Sequence, residues 1–175
     1  LLSLGGLTLD PGTLVRVLEP AAAASAVLCQ RLMTGTYDKP FLVEDGKHRA
    51  LCFTIDGSVQ SEMRIDDPDA LVNDYTRKMM AFLLFHPQPR RALMIGLGGG
   101  SLAKFFHRRL AGLRTHVVEY DERVIATARA LFHVPADDAR LHVEHGDGVH
   151  ALAPECCDLL VVDGSIPTRD GGIYC

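Results

Sequence analysis

Four places in the chain combine residue types that could do chemistry together. Gly96-Leu97-Gly98-Gly99-Gly100 follows the apolar run Arg91 to Ile95 and precedes a segment of helical composition, Ser101 to Leu110. A glycine loop of this kind lets the backbone pass close to a ligand and opens a helix whose free N–H groups attract polar or anionic groups. It lacks full G-x-G-x-x-G spacing, so alone it is a weak signal, and without a G-x-x-x-x-G-K-[ST] lysine a P-loop is excluded. Glu119 lies about twenty residues beyond the loop, at the end of a second strand, where an acidic residue binds ribose hydroxyls in nucleotide-binding folds. Gly146-Asp147-Gly148 follows a third strand, and its carboxylate can accept a hydrogen bond from an adenine amino group, although a plain turn uses the same residues. Asp163 ends a fourth apolar run, Asp158 to Val162, and points into the crevice where a reacting group would lie.

Each signal has a bland counterpart, a solvated carboxylate or a turn. Their conjunction at four successive strand ends points to an adenosine-type ligand. S-adenosyl compounds fit better than a nicotinamide dinucleotide, because they carry no phosphate and tolerate a glycine loop followed by acidic residues.

The elements that must position these groups are legible from Phe41 onward. Phe41 to Val43 and Ala50 to Ile55 flank an Asp45-Gly46 turn and read as a hairpin, and Ser58 to Ile65, after Asp56-Gly57, reads as a third strand. Residues 1 to 65 thus form a small antiparallel β subdomain, poorly defined before Thr36. Asp66-Asp67-Pro68 supplies capping carboxylates and a first-turn proline, and Leu71, Tyr75, Met79 and Phe82 recur at helical spacing, which predicts one helix from Pro68 to about Phe85. His86-Pro87-Gln88-Pro89 stops it. Strands at Arg91 to Ile95, Thr115 to Val118, Leu141 to Val143 and Asp158 to Val162 then alternate with helices at Ser101 to Leu110 and Asp121 to Phe132 and a short helical segment. That alternation calls for an α/β fold, a doubly wound parallel nucleotide-binding sheet. A complete sheet of this kind has more strands, so either C-terminal strands lie outside this chain or the domain is minimal. The expected division is residues 1–66 as the β-hairpin subdomain and 67–175 as a Rossmann-like nucleoside-binding domain.

Composition narrows the function classes. The chain has 175 residues, 47% hydrophobic and 23% charged, with 18 Lys plus Arg against 22 Asp plus Glu and a net charge of −4. A single globular unit is expected, and neither nucleic acid nor a membrane is an expected partner. The five cysteines lack C-x-x-C spacing and read as free thiols in a cytoplasmic protein. The eight histidines show no H-x-x-x-H or H-E-x-x-H pair, so no metal is expected. Ala21 to Ala26 is superficially like a signal-peptide cleavage region, but no basic segment precedes it and Asp10, Arg16 and Glu19 interrupt the stretch. The sequence opens on Leu1, which is compatible with a piece of a longer chain.

Taken together, Ile55-Asp56-Gly57-Ser58-Val59-Gln60, Tyr75, His86-Pro87-Gln88-Pro89-Arg90-Arg91, the strand and glycine loop that follow, Val118-Glu119-Tyr120-Asp121, Gly146-Asp147-Gly148 and Val162-Asp163 resemble the spermidine synthase family of polyamine aminopropyltransferases. The D-G-x-V-Q piece is the specific one, since ordinary methyltransferases share the later motifs and lack it. The resemblance implies a class I methyltransferase-like sheet behind a small β subdomain, with decarboxylated S-adenosylmethionine as co-substrate, methylthioadenosine as product, no metal, a small amine such as putrescine as acceptor, and a homo-oligomer, commonly a dimer. By motif match, Glu119 would hold the ribose, Tyr120 and Ile55 would pack around the adenosine moiety, and Asp147 with Gly148 would meet the adenine. Gly96 and Gly98 would line the cofactor, Asp163 would orient the amine and accept its proton, and Tyr75 would stand near the diamine. The chain departs from the family at Gly99, where the family's loop carries an Asp, at Asp163-Gly164-Ser165-Ile166-Pro167 against D-S-S-D-P, and at Tyr75-Thr76-Arg77-Lys78-Met79 against Y-H-E-M. These departures remove negative charge where ammonium groups would bind. The competing readings are an S-adenosylmethionine-dependent methyltransferase, for which Gly99 would leave room for the cofactor carboxylate, and a non-catalytic adenosine-binding homologue.

Overall fold

The computed structural model describes residues 2–4, 7–9, 12–20, 25–53, 59–153, 156–164, 166–167 and 173–174. In chain order the elements are β1 (Leu2–Leu4), β2 (Leu7–Leu9), β3 (Leu14–Val17), α1 (Ser25–Met33), β4 (Phe41–Glu44), β5 (His48–Cys52), β6 (Ser61–Arg64), α2 (Asp74–Met79) running into a 3-10 turn at Met80–Leu84, β7 (Arg91–Ile95), α3 (Ser101–Arg109), β8 (Arg114–Glu119), α4 (Glu122–Leu131), β9 (Leu141–His145), α5 (Gly148–Ala151), β10 (Leu159–Val162), β11 (Ile166–Pro167) and β12 (Ile173–Tyr174). No helix among the described residues is long and apolar enough to cross a membrane.

The second half of the chain forms the expected parallel sheet, ordered β10-β7-β8-β9. Alternation along each strand sends Ala92, Met94, Val117, Leu141 and Val161 to one face, where they pack with Leu102, Ala103 and Phe106 of α3 and Ala128 of α4. All of these are nearly solvent-free, the signature of a sheet covered by crossover helices. Helix α4 begins at the expected place because the Asp121 carboxylate accepts the Arg123 N–H and caps it. On the opposite face, Gly148 at the start of α5 lies against Ile95 so closely that a Cβ there would fall 2.4 Å from its Cγ2. Since all four strands run parallel, their carboxyl ends share one edge.

The first half is an antiparallel sheet, ordered β3-β4-β5-β6. The hairpin around Asp45-Gly46 forms as expected, with the Asp45 carboxylate accepting the N–H groups of Lys47 and His48 and Gly46 at φ +85°. Leu42, Leu51 and Met63 pack on Val124 and Phe132 of the α4 region, which holds this sheet against the parallel one. Arg49 adds a polar tie, donating to Glu44 and to the carbonyl of Leu131.

Three expectations need correction. The third strand is shorter than Ser58 to Ile65, spanning Ser61–Arg64, with residues 54–58 outside the described set. The segment before Thr36, only poorly defined within the expected β subdomain, contains strands β1, β2 and β3 and also a helix, α1. The helix expected from Pro68 starts only at Asp74. The cause is a competing claim on the Pro68 carbonyl: the fully buried Lys104 donates to it at 2.6 Å and to the Phe132 carbonyl at 2.9 Å, pinning the 67–70 turn to the end of α4. Desolvation lowers the pKa of this lysine to about 8.

Candidate functional site

The carboxyl edge of the parallel sheet gathers the residues singled out from the sequence. Gly96 directly follows β7, Glu119 ends β8, Asp147 follows β9 by two residues and Asp163 directly follows β10. Strand pairing continues to the rim, since Asp163 N–H donates to the Ile95 carbonyl and Gly96 N–H to the Val118 carbonyl, both at 2.9 Å. The groups are therefore mounted on hydrogen-bonded strand ends and not on free loops.

Glu119 organises the glycine loop. Its Oε2 accepts the Leu97 N–H at 2.8 Å and its Oε1 accepts the Asp121 N–H at 2.9 Å. A carboxylate oxygen has lone pairs for more than one donor, so both oxygens retain acceptor capacity for hydroxyls. Tyr120, the next residue, is 76% exposed and so is open to a planar ligand. Its carbonyl accepts a hydrogen bond from His145 Nε2 at 3.0 Å, which ties the ends of β8 and β9. Asp147 caps α5 through Oδ1 and the Val149 N–H at 3.0 Å, leaving Oδ2 outside that cap.

The glycines divide into two kinds. Gly96 (φ +91°) and Gly98 (φ +54°) occupy the left-handed region. A Cβ at Gly96 would fall 2.3 Å from the Asp163 carbonyl oxygen, so only glycine lets β7 and β10 end side by side. Gly99 has another role. Its missing Cβ would fall 2.7 Å from Ser61 Oγ and 2.8 Å from Phe132 Cδ1, against the antiparallel sheet. The idea that Gly99 leaves room for a cofactor carboxylate is corrected by this packing, because the space in that direction is already filled.

Asp163 is the chemically distinctive carboxylate. Burial pushes its pKa above the usual aspartate range, and a hydrogen bond from the Tyr75 hydroxyl at 3.4 Å partly opposes the shift. Tyr75 sits on α2, eighty-eight positions away in sequence. A partly desolvated carboxylate held by a phenol at a glycine-lined rim is a proton acceptor matched to a more basic group than water-exposed aspartate would be. Ile55, expected to pack on the adenosine, lies outside the described residues.

Sequence reasoning missed a support beside this rim and another at the opposite edge of the sheet. Ser61 and Ser101 bring their hydroxyls within 3.4 Å across the junction of β6 and α3, and Asp158 accepts the N–H groups of Arg90 and Arg91 at 2.9 and 2.7 Å, fixing the start of β7. The serines carried no signal; the Asp158 carboxylate, directly before an apolar run, carried a weak one.

No family model matches the sequence. Among curated proteins, the polyamine aminopropyltransferase of Chromobacterium violaceum is 37% identical over 123 residues, covering 69% of this chain and 47% of that protein. The eEF1A lysine and N-terminal methyltransferase of Xenopus laevis is 31% identical over 122 residues, covering 62% of this chain and 18% of that protein. Among solved structures, a probable spermidine synthase from Corynebacterium glutamicum superposes with a TM-score of 0.58 at 20% identity, over 70% of this chain and 48% of that one. This last likeness concerns the fold. The chain spans about half the length of the aminopropyltransferase it matches.

Proposed function

We propose a function from one premise: the chain is a divergent spermidine synthase-like protein, homologous over two thirds of its length to curated polyamine aminopropyltransferases. On that premise it contributes the nucleoside-binding and proton-accepting half of an aminopropyl transfer from decarboxylated S-adenosylmethionine to a small amine such as putrescine. The observation that carries the reading is the Tyr75–Asp163 pair, a half-buried carboxylate of raised pKa at the end of β10, side by side with the Gly96 turn.

In this reading Glu119 accepts the ribose hydroxyls, Tyr120 covers the adenine, Asp147 Oδ2 accepts the adenine amino group, and Gly148 lets α5 close on Ile95. Ile55 would complete the adenosine pocket. The acceptor ammonium approaches Asp163, which takes one proton. The freed nitrogen lone pair attacks the aminopropyl carbon bonded to the sulfonium. The C–N bond forms as the C–S bond breaks, and its electron pair stays on sulfur, giving neutral methylthioadenosine. Burial assists twice, by raising the basicity of Asp163 and by strengthening its attraction for a cationic amine. The division into residues 1–66 and 67–175, a cytoplasmic location and homo-oligomer assembly through the β subdomain belong to the same reading, as does the absence of a metal from this reaction.

A methyltransferase reading draws on the relative from Xenopus laevis, but the filled space beside Gly99 takes away its structural argument. Calorimetric titration with decarboxylated S-adenosylmethionine and with S-adenosylmethionine separates the two. Preference for the decarboxylated compound, followed by putrescine-dependent release of methylthioadenosine, supports aminopropyl transfer, and preference for the carboxylate-bearing compound overturns it.

A further inference from the structure

The sheet face opposite α3 and α4 carries a second constellation, away from the glycine-lined rim. His116 of β8 lies directly across from His142 of β9 in parallel register, and Glu144 is two residues further along, across from Val118. Residues in register or two apart point to the same side of a sheet, so all three side chains share this face. The two imidazole centroids are 5.2 Å apart with planes tilted by 36°, and His116 Nε2 is 2.9 Å from Glu144 Oε2. One donor atom from each of the three residues lies within 4.8 Å of the other two, which holds for no other group of three or more His, Cys, Asp or Glu among the described residues.

We propose that His116, His142 and Glu144 form a binding site for a divalent transition-metal cation, with Zn2+ the natural probe. Two imidazoles and one carboxylate are the donor set of an open zinc site, whereas Mg2+ and Ca2+ prefer all-oxygen surroundings. Metal–ligand bonds of about 2.0–2.1 Å in tetrahedral geometry place donors ~3.3 Å apart, so the present arrangement tightens by modest side-chain rotation. The side chains have that freedom, being 40%, 60% and 54% exposed for His116, His142 and Glu144, while paired strands keep the backbone fixed.

A second layer is already in place. Asp137 Oδ2 lies 2.9 Å from His142 Nδ1, the carboxylate–imidazole arrangement that orients a ligating ring and leaves Nε2 as the other nitrogen. Asp137 is itself paired with Arg129, so its position does not depend on the histidine. His116 and His142 also line a hollow of about 330 Å³ whose walls include Arg91, Arg114, Arg140 and Cys156. Sequence spacing gave no hint of this, because motif searches look for histidines one helical turn apart, and these are brought together by strand pairing across twenty-six positions.

The test is calorimetric titration of Zn2+ into the tag-free 175-residue chain, with Co2+ absorption as a second readout. One equivalent should bind, Co2+ should give the visible bands of a low-coordinate site, and His142→Ala and Glu144→Gln should each weaken binding at least tenfold. Glu144→Gln keeps a hydrogen-bond acceptor for His116, so its effect separates metal ligation from loss of folding, with circular dichroism as the check. Absence of saturable binding overturns the proposal. So does binding that survives both substitutions, or that is lost in Cys156→Ser and retained in His142→Ala.

Discussion

Gly96→Ala tests whether the glycine loop is there to bring Asp163 to the rim. The added Cβ would lie 2.3 Å from the Asp163 carbonyl oxygen, 2.8 Å from its carbonyl carbon and 3.0 Å from Gly164 Cα. These are backbone atoms held by the 2.9 Å bond from Asp163 N–H to Ile95, so no rotamer change relieves the overlap. Holding alanine at φ +91° costs about 1–2 kcal/mol. Overlap with well-packed surroundings adds typically ~1–3 kcal/mol, for a total of about 2–5 kcal/mol, a large part of the stability of an ordinary domain. If the end of β10 yields instead, Asp163 moves relative to the loop, and a displacement of about 1 Å costs on the order of 100-fold in rate. Urea unfolding and nucleoside titration measure both outcomes. Gly112→Ala is the control, since its Cβ would meet nothing within 4 Å. A Gly96→Ala protein as stable as the control, with full nucleoside affinity and transfer, would refute the reasoning.

Asp163→Asn should abolish transfer and leave nucleoside affinity nearly unchanged. Because burial raises the pKa of Asp163 in the folded protein, its ionisation opposes folding as pH rises through the carboxylate range, so the variant should melt no lower than the parent at pH 7, with the difference shrinking in acid. A lower melting temperature at neutral pH would contradict this. Tyr75→Phe removes the hydrogen bond that holds that pKa down, and the acidic limb of the pH–rate profile should move to higher pH; an unmoved limb would show that the contact does not matter to the reaction. Lys104→Ala strips the Pro68 and Phe132 carbonyls of their donor and should cost about 2–4 kcal/mol in chemical denaturation, whereas a cost below ~1 kcal/mol would show that the clamp is incidental.

What was legible in the sequence follows the physics of each segment. The parallel strands β7, β8, β9 and β10 stood out because each sends apolar residues under α3 and α4 and ends close to a glycine or a carboxylate, although β8 and β9 interleave polar residues that face the other side of the sheet. The four strand-end groups were legible for the same reason, since parallel topology alone sends Gly96, Glu119, Asp147 and Asp163 to one edge. Strand β3 was not legible, because its four residues alternate between exposed and half-buried and it is defined by pairing with β4, far along the chain. The late start of α2 was hidden because Lys104, thirty-six residues downstream, captures the Pro68 carbonyl. Nor does spacing reveal that Gly99 is packed against Ser61 and Phe132, or that His116 meets Glu144; both are consequences of tertiary pairing.

In the proposed function this edge of the sheet cradles an adenosine joined to sulfur. Isothermal titration of methylthioadenosine into the parent chain, Glu119→Gln and Asp163→Asn tests it most directly. Saturable one-to-one binding to the parent, weakened about tenfold or more by Glu119→Gln as a charged acceptor is lost and nearly unchanged by Asp163→Asn, is the expected result. No binding by the parent, or binding indifferent to Glu119→Gln, would contradict it.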